Sequence, residues 1–224
     1  MKLTRFINIP MPQRSSKIRA SASVPTESDA AEPVLQKYIQ DFLQTNEAAR
    51  VLDAGLKVLG VGLRPLIDHL VFWSQDLEGR AQEFIGLGFN EDPQIGLMES
   101  SDWQARVYRK TGYPSVLIYQ AIQEDRGKGR MVARWVKQFG HEKPHHIAIQ
   151  VDELENAIFF LEKQGVAFSD AVIGDKHSAL RQVATKPQLV EGKAFTVVEL
   201  VERRYGFQGF ISSQVDSFLQ SLPI

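Results

Sequence analysis

Two stretches of this chain can be laid over one another without a gap. "DHLVFWSQDLEGRAQEFIGLGF" begins at Asp68 and "HHIAIQVDELENAIFFLEKQGVAF" at His145, and the overlay sets His69 opposite His146, Leu77 opposite Leu154, Glu78 opposite Glu155 and Gly88 opposite Gly165. Every pair is separated by the same interval (146 − 69 = 77). A repeat of this kind constrains the fold more than any single motif, because each copy must be one supersecondary unit and the two must pack as relatives.

Each copy opens on a buried strand and continues as an amphipathic helix. Pro65 keeps the preceding helix from running into "LIDHLVFWS", which is apolar and β-favouring. "DLEGRAQEFIGLG" has an acidic first turn and ends on glycine, and "WQARVYRK" and "SVLIYQAI" read as strands on either side of the turn signal "TGYP". The second copy runs through a strand at 145–151, a helix at 153–164, a segment from Val166, a strand around "LRQVATK" and a last strand "AFTVVELVERR". Leu35, Tyr38, Ile39 and Phe42, then a run from Ala48 to Leu59, predict two leading helices. A basic helix "GKGRMVARWVKQF" lies between the copies, and "SSQVDSFLQSL" predicts a closing helix capped by serine.

The fold class is therefore α+β: two βαβββ-type modules preceded by N-terminal helices, each expected to close one curved sheet around a shared cleft. Residues 34–224 form one domain, with a helical lead at 34–64, module one at 65–123, a linker helix at 124–143, module two at 144–210 and a closing helix at 211–222. Residues 1–33 are set apart as a disordered basic tail or a transit peptide. The first 26 of them carry Lys2, Arg5, Arg14, Lys17 and Arg19 and no acidic residue. The transit reading places the protein in a plastid, the tail reading in the cytoplasm.

Composition removes several chemistries. With 26 basic against 27 acidic residues, nothing favours nucleic acid as a partner. The absence of cysteine excludes disulfides, thiolate metal sites and cysteine nucleophiles, leaving His, Asp and Glu to hold any metal. No apolar run approaches the roughly 20 residues of a bilayer span, so no membrane association is expected.

The chemistry gathers on three residues. On a strand "FTVVELVER", Phe195, Val197, Glu199, Val201 and Arg203 share a face, which puts the Glu199 carboxylate among apolar side chains. His69 and His146 occupy the same place in the repeat. Two histidines and a carboxylate match the set that leaves metal positions open for substrate and oxygen and favours non-haem Fe(II), with other divalent metals as alternatives. Three other readings stand beside it: a hydrogen-bonded core histidine, a pairing of Glu199 with Arg203 or Arg181, and His145 rather than His146 facing the cleft, since alternation alone does not choose between neighbours. His141 and His177 fall in loop-like sequence and read as solvated; "GLGF" reads as a helix end rather than a dinucleotide fingerprint. Trp73, Phe195, Phe207 and Phe210 are pocket or core aromatics.

With these residues in view, residues 66 to about 219 resemble the vicinal oxygen chelate superfamily. "HIAI", "LRQVATKP" and "VVELVERRYGFQGF" resemble the second half of 4-hydroxyphenylpyruvate dioxygenase, and the overall layout is similar to the 2-oxoadipate dioxygenase/decarboxylase (hydroxyglutarate synthase) family. The resemblance implies His69, His146 and Glu199 as iron ligands, Gln182 and Phe210 as pocket residues, and a small 2-oxo acid and O2 as partners. That family carries an arginine four residues after its first histidine; this chain has Trp73 there, so Arg106 or Arg181 would have to grip the substrate carboxylate. An Fe(II)-dependent dioxygenase is the first expectation. A metal-dependent isomerase or lyase of glyoxalase type, with Gln120 as a fourth ligand or polar contact, and a non-catalytic ligand-binding or regulatory protein are the alternatives.

Overall fold

The computed structural model describes residues 29–169 and 171–222. Most of the basic tail, with both of its readings, lies outside the described residues. Helix α1 (Ala31–Thr45) takes in the last three residues given to the tail, because Ala31 itself is buried with Leu35, Ile39 and Phe42 on one helix face. Asn46 ends α1 and caps α2 (Glu47–Val58): its side chain accepts from the Ala49 amide, while its Nδ2 donates to the Thr196 hydroxyl at 3.0 Å and pins the helical lead to the sheet.

Module one comprises β1 (Ile67–Ser74), α3 (Leu77–Gly86), the two-residue strands β2 (Asn90–Glu91) and β3 (Met98–Glu99), β4 (Trp103–Arg109) and β5 (Ser115–Ala121). The linker helix α4 (Gly127–Phe139) leads to module two: β6 (Pro144–Gln150), α5 (Leu154–Glu162), β7 (Leu180–Ala184), β8 (Gln188–Val190), β9 (Lys193–Arg203), and then the closing helix α6 (Ser212–Ser221). Gly88 and Gly165, matched in the repeat, both have positive φ (86° and 87°), the conformation that ends α3 and α5 and that a side chain would strain.

The two modules share a single sheet, in the order β2-β4-β5-β1-β6-β9-β7, with β3 on β4 and β8 on β9. This corrects the expectation of one sheet per module. Strands β1 and β6 are buried on both faces and pair antiparallel with each other, so neither is left as an open edge. Within each module the opening strand lies parallel to the closing one, β1 to β5 and β6 to β9, as a repeat demands.

One face of the sheet packs Leu70, Phe72, Ile118, Ile147, Val198 and Leu200 against α1, α2, α3 and α5. The opposite face carries Val71, Trp73, Leu117, Tyr119, Phe195 and Val197 against α4 and α6. Each fully buried side chain of this size contributes about 1.5–3 kcal/mol, so both faces are needed to hold the sheet. The expected serine cap on α6 is not formed: Ser212 already lies inside the first turn, and Ile211 at the cap offers only its carbonyl, which accepts from the Gln214 and Val215 amides.

Candidate metal centre

His69 on β1, His146 on β6 and Glu199 on β9 point from three strands to one spot on the α4/α6 face, all buried. One Glu199 carboxylate oxygen, Oε2, stands 3.3 Å from His69 Nε2 and 3.2 Å from His146 Nε2, and one donor atom from each residue lies within 4.8 Å of the others. Ligand atoms about 2.1 Å from a common ion and at right angles to one another would be about 3 Å apart. The spacing therefore suits a divalent cation, and three protein donors leave coordination positions free. The arginine alternative for Glu199 fails: Arg203 pairs with Asp68, and Arg181 with Glu155 and Glu202.

Two departures from regular strand pairing build the surroundings of the histidines. The β1–β6 register shifts between Ile67 and His69, leaving Asp68 as an extra residue whose carboxylate meets His69 Nδ1 at 2.7 Å. Arg203 grips the same carboxylate through Nε and Nη2 at 2.6 and 2.8 Å. The register shifts again where Val71 pairs with His146 but Phe72 with Pro144. His145 is the extra residue there, and both histidines face the site; this is why alternation could not choose between them. Only His146 reaches Glu199, and His145 Nδ1 lies 2.9 Å from His146 Nδ1.

The electrostatics follow from a carboxylate shared between buried rings. Burial alone would raise the Glu199 carboxyl, but the charge of His69 and hydrogen bonds from both histidines hold it down at about 2. Burial would lower His69; the charge of Glu199 and the bond to Asp68 lift it to about 9. His146 is lowered, chiefly by burial, and burial with the neighbouring His146 holds His145 well below the ordinary imidazole range. Without an ion, a proton on His69 is the counter-charge of Glu199; a divalent cation would take its place.

No family model and no curated protein matches the chain. Solved structures do. A glyoxalase superfamily protein from Ralstonia eutropha JMP134 superposes with a TM-score of 0.63 at 11% identity, over 86% of this chain and 91% of its own. A protein from Shewanella frigidimarina NCIMB 400 described as a hydrolase gives 0.70 at 14% identity, over 82% and 98%. The fold is of the vicinal oxygen chelate (glyoxalase) type. A mutant of 4-hydroxymandelate synthase from Streptomyces coelicolor shares it with a TM-score of 0.57 at 19% identity; the match spans 72% of this chain and 54% of the synthase.

His69, His146 and Glu199 share the α4/α6 face of the sheet, and three of the expected pocket residues are on the other face. Arg106 alternates with Ala105 and Val107 and turns away to Glu91 and Glu78. Gln120 likewise lies opposite Tyr119 in parity, and its side-chain oxygen accepts from the Leu77 amide at the start of α3. Arg181 sits beside Gln182 but faces Glu155 on α5. Gln182 is on the site face, donating to the Gln214 carbonyl of α6. Phe210 is at the site: its ring stands edge-on to His69 with centroids 5.1 Å apart, and it borders a cavity of about 1000 Å³ with Asp92, Arg109 and Gln208. Trp73 is buried and lies flat on His145, 3.6 Å between centroids. His141 and His177 are exposed, as expected.

Sequence reasoning missed Asp68, Tyr119 and Phe218, and weighed His145 only as a rival of His146. Tyr119, on the site face of β5, is raised by burial and by the charge of Glu199; Phe218 of α6 packs on His146 at 5.4 Å. Asp68 had a signal in the sequence: a carboxylate beside a histidine in an apolar run must find a cation.

Proposed function

We propose that the chain is an Fe(II)-dependent dioxygenase acting on a small 2-oxo acid, which with O2 leaves as CO2 and a 2-hydroxy acid one carbon shorter. The observation that carries the proposal is the buried set of His69, His146 and Glu199, donor atoms within 4.8 Å of one another, with the Glu199 carboxylate meeting no cation but the two rings among the described residues. The two Nε2 atoms and the Glu199 carboxylate would hold the ion. Bound ferrous iron would supply the electrons that activate dioxygen.

The rest is done by the chain. Asp68, braced by Arg203, keeps a proton on His69 Nδ1 and so leaves Nε2 free to ligate. Phe210 and Phe218 cover the histidines and keep water from them, and the cavity beside Phe210 is the approach for the acid. Arg109 borders that cavity with its guanidinium held by Asp92, Ser115 and the Gln208 carbonyl, so it would take the carboxylate-binding role first assigned to Arg106 and Arg181 only by exchanging one of these partners for the substrate.

A four-ligand isomerase site is less well supported. The register pairs Ala148 with Glu199 in module two and Val71 with Leu117 in module one, and Val71 matches Ala148 in the repeat. Leu117 thus stands where a fourth ligand would be, and it offers none.

The test is anaerobic loading of the full chain with Fe(II), followed by O2 uptake across a panel of 2-oxo acids. Uptake that requires an acid, releases CO2 and vanishes in His69→Ala and Glu199→Ala is expected. A protein that binds iron and consumes no oxygen with any acid refutes the reaction; one that binds no divalent metal refutes the site.

A further inference from the structure

A second cavity, of about 620 Å³, opens between α4 and the start of β9, and none of His69, His146, Glu199 and Phe210 lines it. Its volume is that of a small-molecule site. Trp73, Trp135 and His145, all buried, lie at its base with Phe139 beside them. The base is rigid: the Trp73 and His145 rings are parallel within 8°, Trp135 stands edge-on to Trp73, and its indole N–H is fixed by the Phe195 carbonyl. The Trp73 indole N–H is buried with no acceptor among the described residues.

The rim has the opposite character. Arg134 and Lys137 of α4 and Lys193 of β9 are exposed, and none has a hydrogen-bond or ion-pair partner among the described residues. Among the described residues no aspartate or glutamate lines the cavity. Elsewhere cations do find carboxylates: Lys37 with Asp41, Lys57 with Asp53, Arg64 with Glu32 and Lys110 with Asp29. Three unpaired cations converging on an aromatic base give a site that attracts negative charge at its mouth and takes flat apolar surface below.

We infer that this chamber binds an amphiphilic anion, with a planar aromatic body seated against Trp135 and Phe139 beside the buried Trp73–His145 stack and a carboxylate, sulfonate or phosphate head at Arg134, Lys137 and Lys193. The inference goes beyond the metal reading and does not depend on it, since no candidate ligand of the metal touches the chamber. Naphthalene-2-sulfonate is the probe, titrated into the full-length protein after chelator treatment and followed by tryptophan fluorescence and calorimetry. Two of the three tryptophans line the chamber, so binding should quench emission saturably at one probe per chain. Replacing Arg134, Lys137 and Lys193 together by alanine should weaken binding roughly tenfold, the sum of three exposed ion pairs, and the uncharged naphthalene-2-sulfonamide should bind the wild type about as weakly. These substitutions remove no internal bond, so the fold is expected to persist. Absence of saturable quenching, or equal affinity of variant and wild type for the sulfonate, overturns the inference; loss of iron binding or O2 uptake has no bearing on it.

Discussion

Module one and module two differ most where they contribute to the candidate metal centre. Each places a histidine at the same point of its opening strand, and each runs its closing strand parallel beside it. Module two then adds Glu199, where module one has Leu117; module one adds Asp68 behind its histidine, where module two uses the extra residue His145. The centre is thus assembled across the β1–β6 seam from unequal halves. A repeat supplies the scaffold twice, and the unpaired substitutions on it supply the charge and leave positions open.

The comparison is broken most completely by making module two resemble module one. Glu199→Leu should abolish uptake of Fe(II) or Zn(II), measured by calorimetry. Because His69 can then shed its proton, the unfolding free energy should fall by less than the ~3–5 kcal/mol of a stranded buried charge. Asp68→Asn should weaken metal binding by about 10–100-fold, since His69 loses the partner that orients it; an unchanged affinity would make Asp68 purely a partner for Arg203.

The asymmetry in protonation can be measured directly. His69 is lifted to about 9 from its ordinary 6.5, so at pH 7.5 the metal-free site holds a proton that a cation must expel. Metal binding should release about one proton, read from calorimetry in buffers of different ionisation enthalpy, and affinity should rise with pH until about 9. The sign is that of a raised group: the stability His69 lends the metal-free fold is complete below 6.5 and is lost as pH climbs through 9.

The smallest effect concerns the helices. Asp76 caps α3 by accepting from the Gly79 amide at 2.9 Å, whereas Glu153, its repeat partner, makes no cap on α5. Asp76→Ala should cost about 1 kcal/mol and Glu153→Asp should gain about 0.5–1 kcal/mol in chemical unfolding.

The repeat made the modules and both histidines legible, and alternation along β9 made Glu199 legible, because each is a regular pattern. What was not legible lies where regularity is interrupted or invisible. His145 and Asp68 sit at register shifts, which no period-2 rule anticipates. Gln120 follows a run in which both faces are apolar, so the polarity of "SVLIYQ" does not say which face is which; counting two from Leu117 to Tyr119 would have put Gln120 on the far side. Arg106 was misplaced because function suggested a role that its parity, between Ala105 and Val107, excludes.

The continuous pairing of β1 with β6 has a consequence for traffic. Two separate sheets could swing apart about their link, but a hydrogen-bonded seam has no such hinge. Anything exchanged at the histidines must pass by lifting what lies over them. The loop before α6 is fastened by two arginines, Arg109 to the Gln208 carbonyl at 2.6 Å and Arg203 to the Gly209 carbonyl at 2.7 Å. Both bonds fall on the two residues just before Phe210, so the ring beside His69 is held in place by one short loop fastened to β4 and β9.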